Sequence, residues 1–131
     1  MRLLFILHCL AFLFCAPLSQ ALALDIPVRA GSHDEYSRLV FDWPEAVTYT
    51  LQKQGEDTIN LTFEKAGTLD SSKLDASPVS NIAAVNIIKS DPLSVAIKIP
   101  SSSDYRDFKV GNRIIIDVYN PKNAPKSKPS P

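Results

Sequence analysis

The sequence has 131 residues, room for one small domain, and its 14 basic and 14 acidic residues cancel to a formal net charge of zero. That balance gives no electrostatic footprint for nucleic acid. The only two cysteines, Cys9 and Cys15, lie near the start of the chain and exclude a disulfide scaffold or a thiolate metal site in the body of the protein.

Met1 and Arg2 form a short positive start, and Leu3 to Ala16 form an apolar run of 14 residues interrupted only by His8. Such a run falls short of the roughly 18 to 20 residues that a membrane-spanning helix needs. Pro17 and Gln20 close it, and Ala21-Leu22-Ala23 supplies the small-x-small pattern of a cleavage site. The expectation is a signal peptide over residues 1–23, cut after Ala23, and export to the periplasm. Both cysteines leave with it, and the bulky Leu13-Phe14 before Cys15 argues against a lipid-modified cysteine. Setting aside Arg2, Lys122, Lys126 and Lys128 leaves 10 basic against 14 acidic residues over positions 24–121, a net charge of −4.

From Asp25 to Tyr119 the apolar period is two. Leu39, Phe41 and Trp43 alternate with Arg38, Val40 and Asp42; Val47, Tyr49 and Leu51 alternate with threonine and glutamine; Ile59, Leu61 and Phe63 alternate with Thr58, Asn60 and Thr62. Val85 and Ile87, then Val95, Ile97 and Ile99, then the unbroken Ile114-Ile115-Ile116 continue the series. Alternation of this kind marks strands with one face in a core. Gly55, Ser90-Asp91-Pro92 and Gly111-Asn112 fall between the runs as turns, and Pro44 and Pro100 end strands because proline cannot donate to a ladder. The best helical window is one turn around Ser71 to Leu74, capped by Asp70 or Ser71.

A shift of 56 residues lays Pro44 on Pro100, Tyr49 on Tyr105, Gly55 on Gly111 and Phe63 on Tyr119, with Leu39, Phe41 and Trp43 on Val95, Ile97 and Ile99. Residues 114–118 stand one position out of phase with 58–62. Each half reads as four strands, so the expected fold is all-β: a sandwich of two small antiparallel sheets, about eight strands in all, with pseudo-duplicated halves over residues 24–120. Residues 121–131 hold four prolines and no large apolar side chain, and are expected to form an extended Lys/Pro/Ser-rich linker to a further domain.

Arg38-Leu39-Val40-Phe41-Asp42-Trp43, Leu61-Thr62-Phe63, the strand region Val79 to Ile88, Tyr105 to Gly111, and Arg113-Ile114-Ile115-Ile116-Asp117-Val118 together resemble the AMIN domain. That family consists of targeting modules on periplasmic amidases, secretins and related envelope proteins. The resemblance spans about residues 28–119. It implies two symmetric four-stranded sheets and attachment to peptidoglycan, often with a partner domain placed at the division site. The opening strand after Asp25 reads as short, and its match to the family's first strand is open.

Arg38 and Asp42 lie on the face of their strand opposite the apolar one, and Arg113 and Asp117 repeat the spacing, so all four are expected to point outward. With Tyr49, Tyr105 and Tyr119 available to stack on sugar rings, they are the candidate ligand-binding residues for a glycan or its peptide stem. The plainer alternatives are solvated cross-strand pairs for the charges and core positions for the tyrosines. Trp43 reads as core. His33, beside Asp34 and Glu35, is the one histidine after the signal peptide; it lacks the companions that a metal site or a catalytic dyad needs. Asn60-Leu61-Thr62 has the form of a glycosylation sequon. No cofactor, no metal and no catalysis are expected. The expected function is non-catalytic wall binding that localises an attached or partner envelope protein, and the alternative is a protein-interaction module docking another envelope protein.

Overall fold

The computed structural model describes residues 24–122; the expected signal peptide and positions 123–131 of the expected linker lie outside the described residues. Nine strands and one short helix follow in order: β1 (Leu24–Ser32), β2 (Tyr36–Asp42), β3 (Tyr49–Gln54), β4 (Thr58–Phe63), β5 (Gly67–Asp70), α1 (Ser72–Ala76), β6 (Ala84–Ser90), β7 (Leu93–Lys98), β8 (Tyr105–Val110) and β9 (Arg113–Tyr119). They form a five-stranded sheet in the order β5-β1-β2-β9-β8 and a four-stranded sheet in the order β3-β4-β7-β6. The all-β sandwich expected from the alternation is the observed fold.

The alternation explains the packing directly. Ile26, Val28, Leu39, Phe41, Ile114, Ile116 and Val118 project from one sheet into the core. Ile59, Leu61, Phe63, Leu93, Val95 and Ile97 meet them from the other. At one end Phe63 is the common neighbour, with Phe41 at 5.4 Å and Trp43 at 4.9 Å between ring centroids. Trp43 is core, as its phase predicts.

The repeat is visible in the topology. A displacement of about 56 residues carries β1 onto β6, β2 onto β7, β3 onto β8 and β4 onto β9, so the order β1-β2-β9-β8 maps onto β6-β7-β4-β3. Each sheet therefore joins a hairpin from one half of the chain to a hairpin from the other. The phase slip has a simple cause. Gln54 pairs with Thr58 across three turn residues, whereas Val110 pairs with Arg113 across only Gly111 and Asn112. Gly55 and Gly111 take positive φ, +66° and +60°. Asn112 does not, which fits a hairpin turn that takes glycine at its first central position.

Three features differ from the sequence reading. The opening strand β1 is nine residues long rather than short, because it pairs with β5 through Leu24–Pro27 and with β2 through Val28–Ser32. Pro27 sits where the partner changes. The ninth strand, β5, pairs parallel to β1, so this sheet is not wholly antiparallel. Helix α1 runs two residues further than Leu74, to Ala76, and the Asp70 carboxylate accepts hydrogen bonds from the Ser72 backbone N–H at 3.1 Å and hydroxyl at 2.7 Å. No helix among the described residues is long and apolar enough to cross a membrane.

Phe63 is fully buried and touches aromatic rings from β2 and the segment after it. Phe63→Ala should lower the unfolding free energy by about 3–5 kcal/mol, the usual cost of truncating a buried aromatic, measured by urea titration. A loss below about 1 kcal/mol would show that the two sheets do not depend on this contact.

Candidate functional site on the five-stranded sheet

The register of the five-stranded sheet sets the outer face row by row. Arg38 on β2 stands opposite Asp117 on β9, which stands opposite Arg106 on β8. The next row is Arg29, Val40, Ile115 and Phe108, and the next is Asp42, Arg113 and Val110. Tyr36 faces Tyr119 at the other end. This explains the unbroken run of three isoleucines in β9: Ile114 and Ile116 face the core, while Ile115 faces outward and is covered by its outer-face neighbours.

Asp117 is the centre of the face. Its side chain has no exposed surface, and it accepts three hydrogen bonds: from Arg38 Nε at 2.8 Å, Arg38 Nη2 at 3.0 Å and Arg106 Nε at 2.9 Å. Burial pushes the Asp117 carboxyl pKa up, but the charged hydrogen bonds from Arg38 and Arg106 outweigh it, and the net displacement is downward. Both guanidinium groups are held more firmly protonated in return, chiefly by the hydrogen bond to Asp117. Arg38 Cζ lies 5.4 Å from the ring centres of both Tyr36 and Phe108. Arg106 Cζ lies 5.5 to 5.8 Å from Tyr36, Phe108 and Tyr119. Two cations thus sit among three aromatic rings, with an anion fixed between them.

A second ionic centre lies two rows along the same face. Asp42 accepts from Arg29 Nε at 2.9 Å and meets Arg113 at 3.3 Å. Arg29, Arg38, Arg106 and Arg113 cluster on Asp42 and Asp117 over β1, β2, β9 and β8, while Asp25 and Asp70 lie on the same face toward β5. The four expected charged residues are therefore brought onto one face, as pairs across β2 and β9. Asp117 departs from the expectation in being buried rather than solvated.

The tyrosines separate. Tyr119 joins the face, 6.0 Å from Tyr36. Tyr49 and Tyr105 do not; both pack against the core from the inner side. The Tyr49 hydroxyl donates to Asp107 at 2.7 Å, and burial together with that bond pushes its pKa up to about 12. Sequence reasoning missed Arg106, Arg29, Tyr36 and Phe108. A signal for Arg106 was present, since a two-residue turn at Gly111-Asn112 fixes Arg106 opposite Asp117. His33 stacks on Tyr36 at 4.5 Å, and no group of three His, Cys, Asp or Glu side chains suited to a metal ion exists among the described residues.

Fold and site together define a class: a pseudo-duplicated β-sandwich with an arginine, aspartate and aromatic cluster on the outer face of one sheet. No protein-family model matches the chain, and neither a curated protein nor a solved structure matches it.

Because the folded-state pKa of Asp117 is depressed, its ionic contribution is complete above the ordinary aspartate value of 3.8 and is lost as pH falls through the lower folded value. Thermal unfolding should therefore show Tm dropping between about pH 5 and pH 2, with a smaller drop in Asp117→Asn. At pH 7 the same substitution should cost about 1.5–3 kcal/mol, the range for hydrogen bonds to charged groups. An acid profile unchanged by the substitution would remove Asp117 from the account.

Proposed function

We propose that this chain is a non-catalytic, AMIN-like module that binds peptidoglycan in the periplasm and so localises an attached or partner envelope protein. What supports the reading is one observation: a cluster of four arginines around two aspartates, interleaved with Tyr36, Phe108 and Tyr119, on a domain that is net acidic. Peptidoglycan offers what such a face takes up, namely free carboxylates on its peptide stems and sugar rings with apolar faces. Arginine gives directional, always-charged donors to carboxylates, and aromatic rings give stacking surface. The resemblance in the sequence motifs points to the same ligand. No chemistry is needed for such a role, because a weakly binding module raises the local concentration of whatever it carries.

A second reading rests on β6. It is an edge strand of the four-stranded sheet and leaves Ile87 at 42% and Ile88 at 57% exposure. Beside it lies a cleft of about 330 Å³ lined by Leu74, Pro78, Ile82 and Val85 among others. Strand addition by another envelope protein would use that edge.

The purified protein should pellet with isolated peptidoglycan sacculi, and the double variant Arg106→Ala plus Arg113→Ala should lose at least about tenfold in affinity, or about 1.4 kcal/mol. Both side chains are more than half exposed, at 52% and 57%, so the fold is expected to survive their loss. Soluble muropeptides should release the bound protein. Pelleting that the double variant leaves intact would sink the assignment to this face, and pelleting that muropeptides do not compete would favour the β6 edge.

A further inference from the structure

The outer face carries a hollow beside Gly31. It has a volume of about 260 Å³ and is lined by Arg29, Ala30, Gly31, His33, Arg38 and Val40. It exists because Gly31 stands opposite Arg38 at the end of the row that holds Asp117 and Arg106. A Cβ built on Gly31 would meet nothing within 4 Å. The glycine is therefore not demanded by a positive φ or by close packing; it leaves open space at a point where the neighbouring side chains are cationic.

The two arginines that border the hollow are held from behind. Arg29 donates through Nε to Asp42, and its two terminal nitrogens carry no hydrogen bond to any other described residue. Arg38 donates through Nε and Nη2 to Asp117 and through Nη2 to the Tyr36 hydroxyl, and its Nη1 is likewise unpaired among the described residues. A guanidinium anchored at one edge keeps its other donors directed, and ligand binding then orders little that is not already ordered. His33 forms a third wall, its ring fixed by stacking on Tyr36 and its backbone N–H by donation to the Tyr36 carbonyl at 2.8 Å. Val40, 4% exposed, gives a dry floor that strengthens an ion pair formed above it. No acidic side chain lines the hollow.

We propose that this hollow is a carboxylate subsite: the Arg29 terminal nitrogens take one planar carboxylate in two parallel hydrogen bonds, Arg38 Nη1 donates a third, and the ligand's remaining atoms occupy the space left by Gly31. The planar two-pronged match between guanidinium and carboxylate is what selects this ligand class over a neutral amide. The subsite rests on the wall-binding reading for the source of its ligand, the free carboxylates of a peptidoglycan peptide stem, and it predicts discrimination between free-acid and amidated stems.

The test uses a soluble free-acid muropeptide, its fully amidated analogue, inorganic phosphate, and an acidic peptide of ordinary L-residues with the same charge, each titrated into the protein while the backbone amide signals of residues 29–33 and 38 are followed by NMR. The free acid should shift those signals and bind at least about tenfold more tightly than the amide, and Arg29→Gln or Gly31→Glu should each abolish the difference while circular dichroism stays unchanged. Gly31→Glu needs no repacking, since the space is already open. Equal response to acid and amide, or no response at residues 29–33, overturns the subsite. Phosphate binding as tight as the free acid overturns the carboxylate assignment, and equal binding of the L-peptide overturns the wall as its source. Pelleting of the unsubstituted protein with sacculi, measured separately, decides the wall-binding reading itself, so the two can fail independently.

Discussion

Asp117 has no exposed surface, and a carboxylate taken out of water that far would ordinarily give up its charge. It keeps it because Arg38 and Arg106 reach over from the strands on either side and supply three charged hydrogen bonds. The rest of the face depends on that arrangement. The two guanidinium groups are held 5.4 to 5.8 Å from the ring centres of Tyr36, Phe108 and Tyr119, beside a row in which Val40 and Ile115 are 4% and 6% exposed. The ion cluster ties together β2, β8 and β9, three strands that come from opposite halves of the chain.

The duplication gives an internal control. The row Arg38, Asp117, Arg106 corresponds in the other sheet to Ser94, Thr62 and Thr50, which are paired in the same order. There the Ser94 hydroxyl donates to Thr62 at 3.1 Å, and no charge is involved. The row Val40, Ile115, Phe108 corresponds to Ala96, Asn60 and Gln52, and Asp42 with Arg113 to Lys98 with Thr58. The same backbone rows thus carry hydroxyls, amides and a single lysine on one face and an arginine, aspartate and aromatic cluster on the other. The equivalent rows of the second sheet pair without such a cluster. That difference between equivalent positions separates what the fold requires from what has been added to one face.

Much of this was legible before any coordinates. Period-two alternation over Leu39 to Trp43, Ile59 to Phe63 and Val95 to Ile99 fixes which side chains enter the core, and all of those apolar positions are buried. The pairing of Arg38 with Asp117 and of Asp42 with Arg113 was foreshadowed by two identical spacings on strands of matching pattern. What escaped was set by contacts that leave a faint local trace. Strand β5 has four residues, only Leu69 among them large and apolar, and its partner is a parallel strand more than 40 residues earlier in the chain. The opening strand reads as short, yet β1 continues through Pro27 because its pairing passes from β5 to β2 at that point. Tyr49 and Tyr105, related by the repeat, both face inward, because each is in phase with the apolar residues of its hairpin partner, Phe63 and Val118.

Gly31 shows how far a single position can reach when the backbone around it is duplicated. In the other half the residue paired with Ser94, the counterpart of Arg38, is Lys89, and it follows an irregularity in β6 between Ile87 and Lys89. At the equivalent place in β1 the strand runs regularly and carries no side chain at all. Glycine within a strand sacrifices β-propensity and backbone entropy, a cost without return if the site were only structural. Here the space it leaves is bordered by Arg29 and Arg38, each anchored by its own aspartate and each with donors to spare. The residue that weakens the strand is therefore the one that lets a ligand approach the fixed charges. A side chain at that position would strengthen β1 and close the hollow, so strand stability and ligand access compete at the same atom.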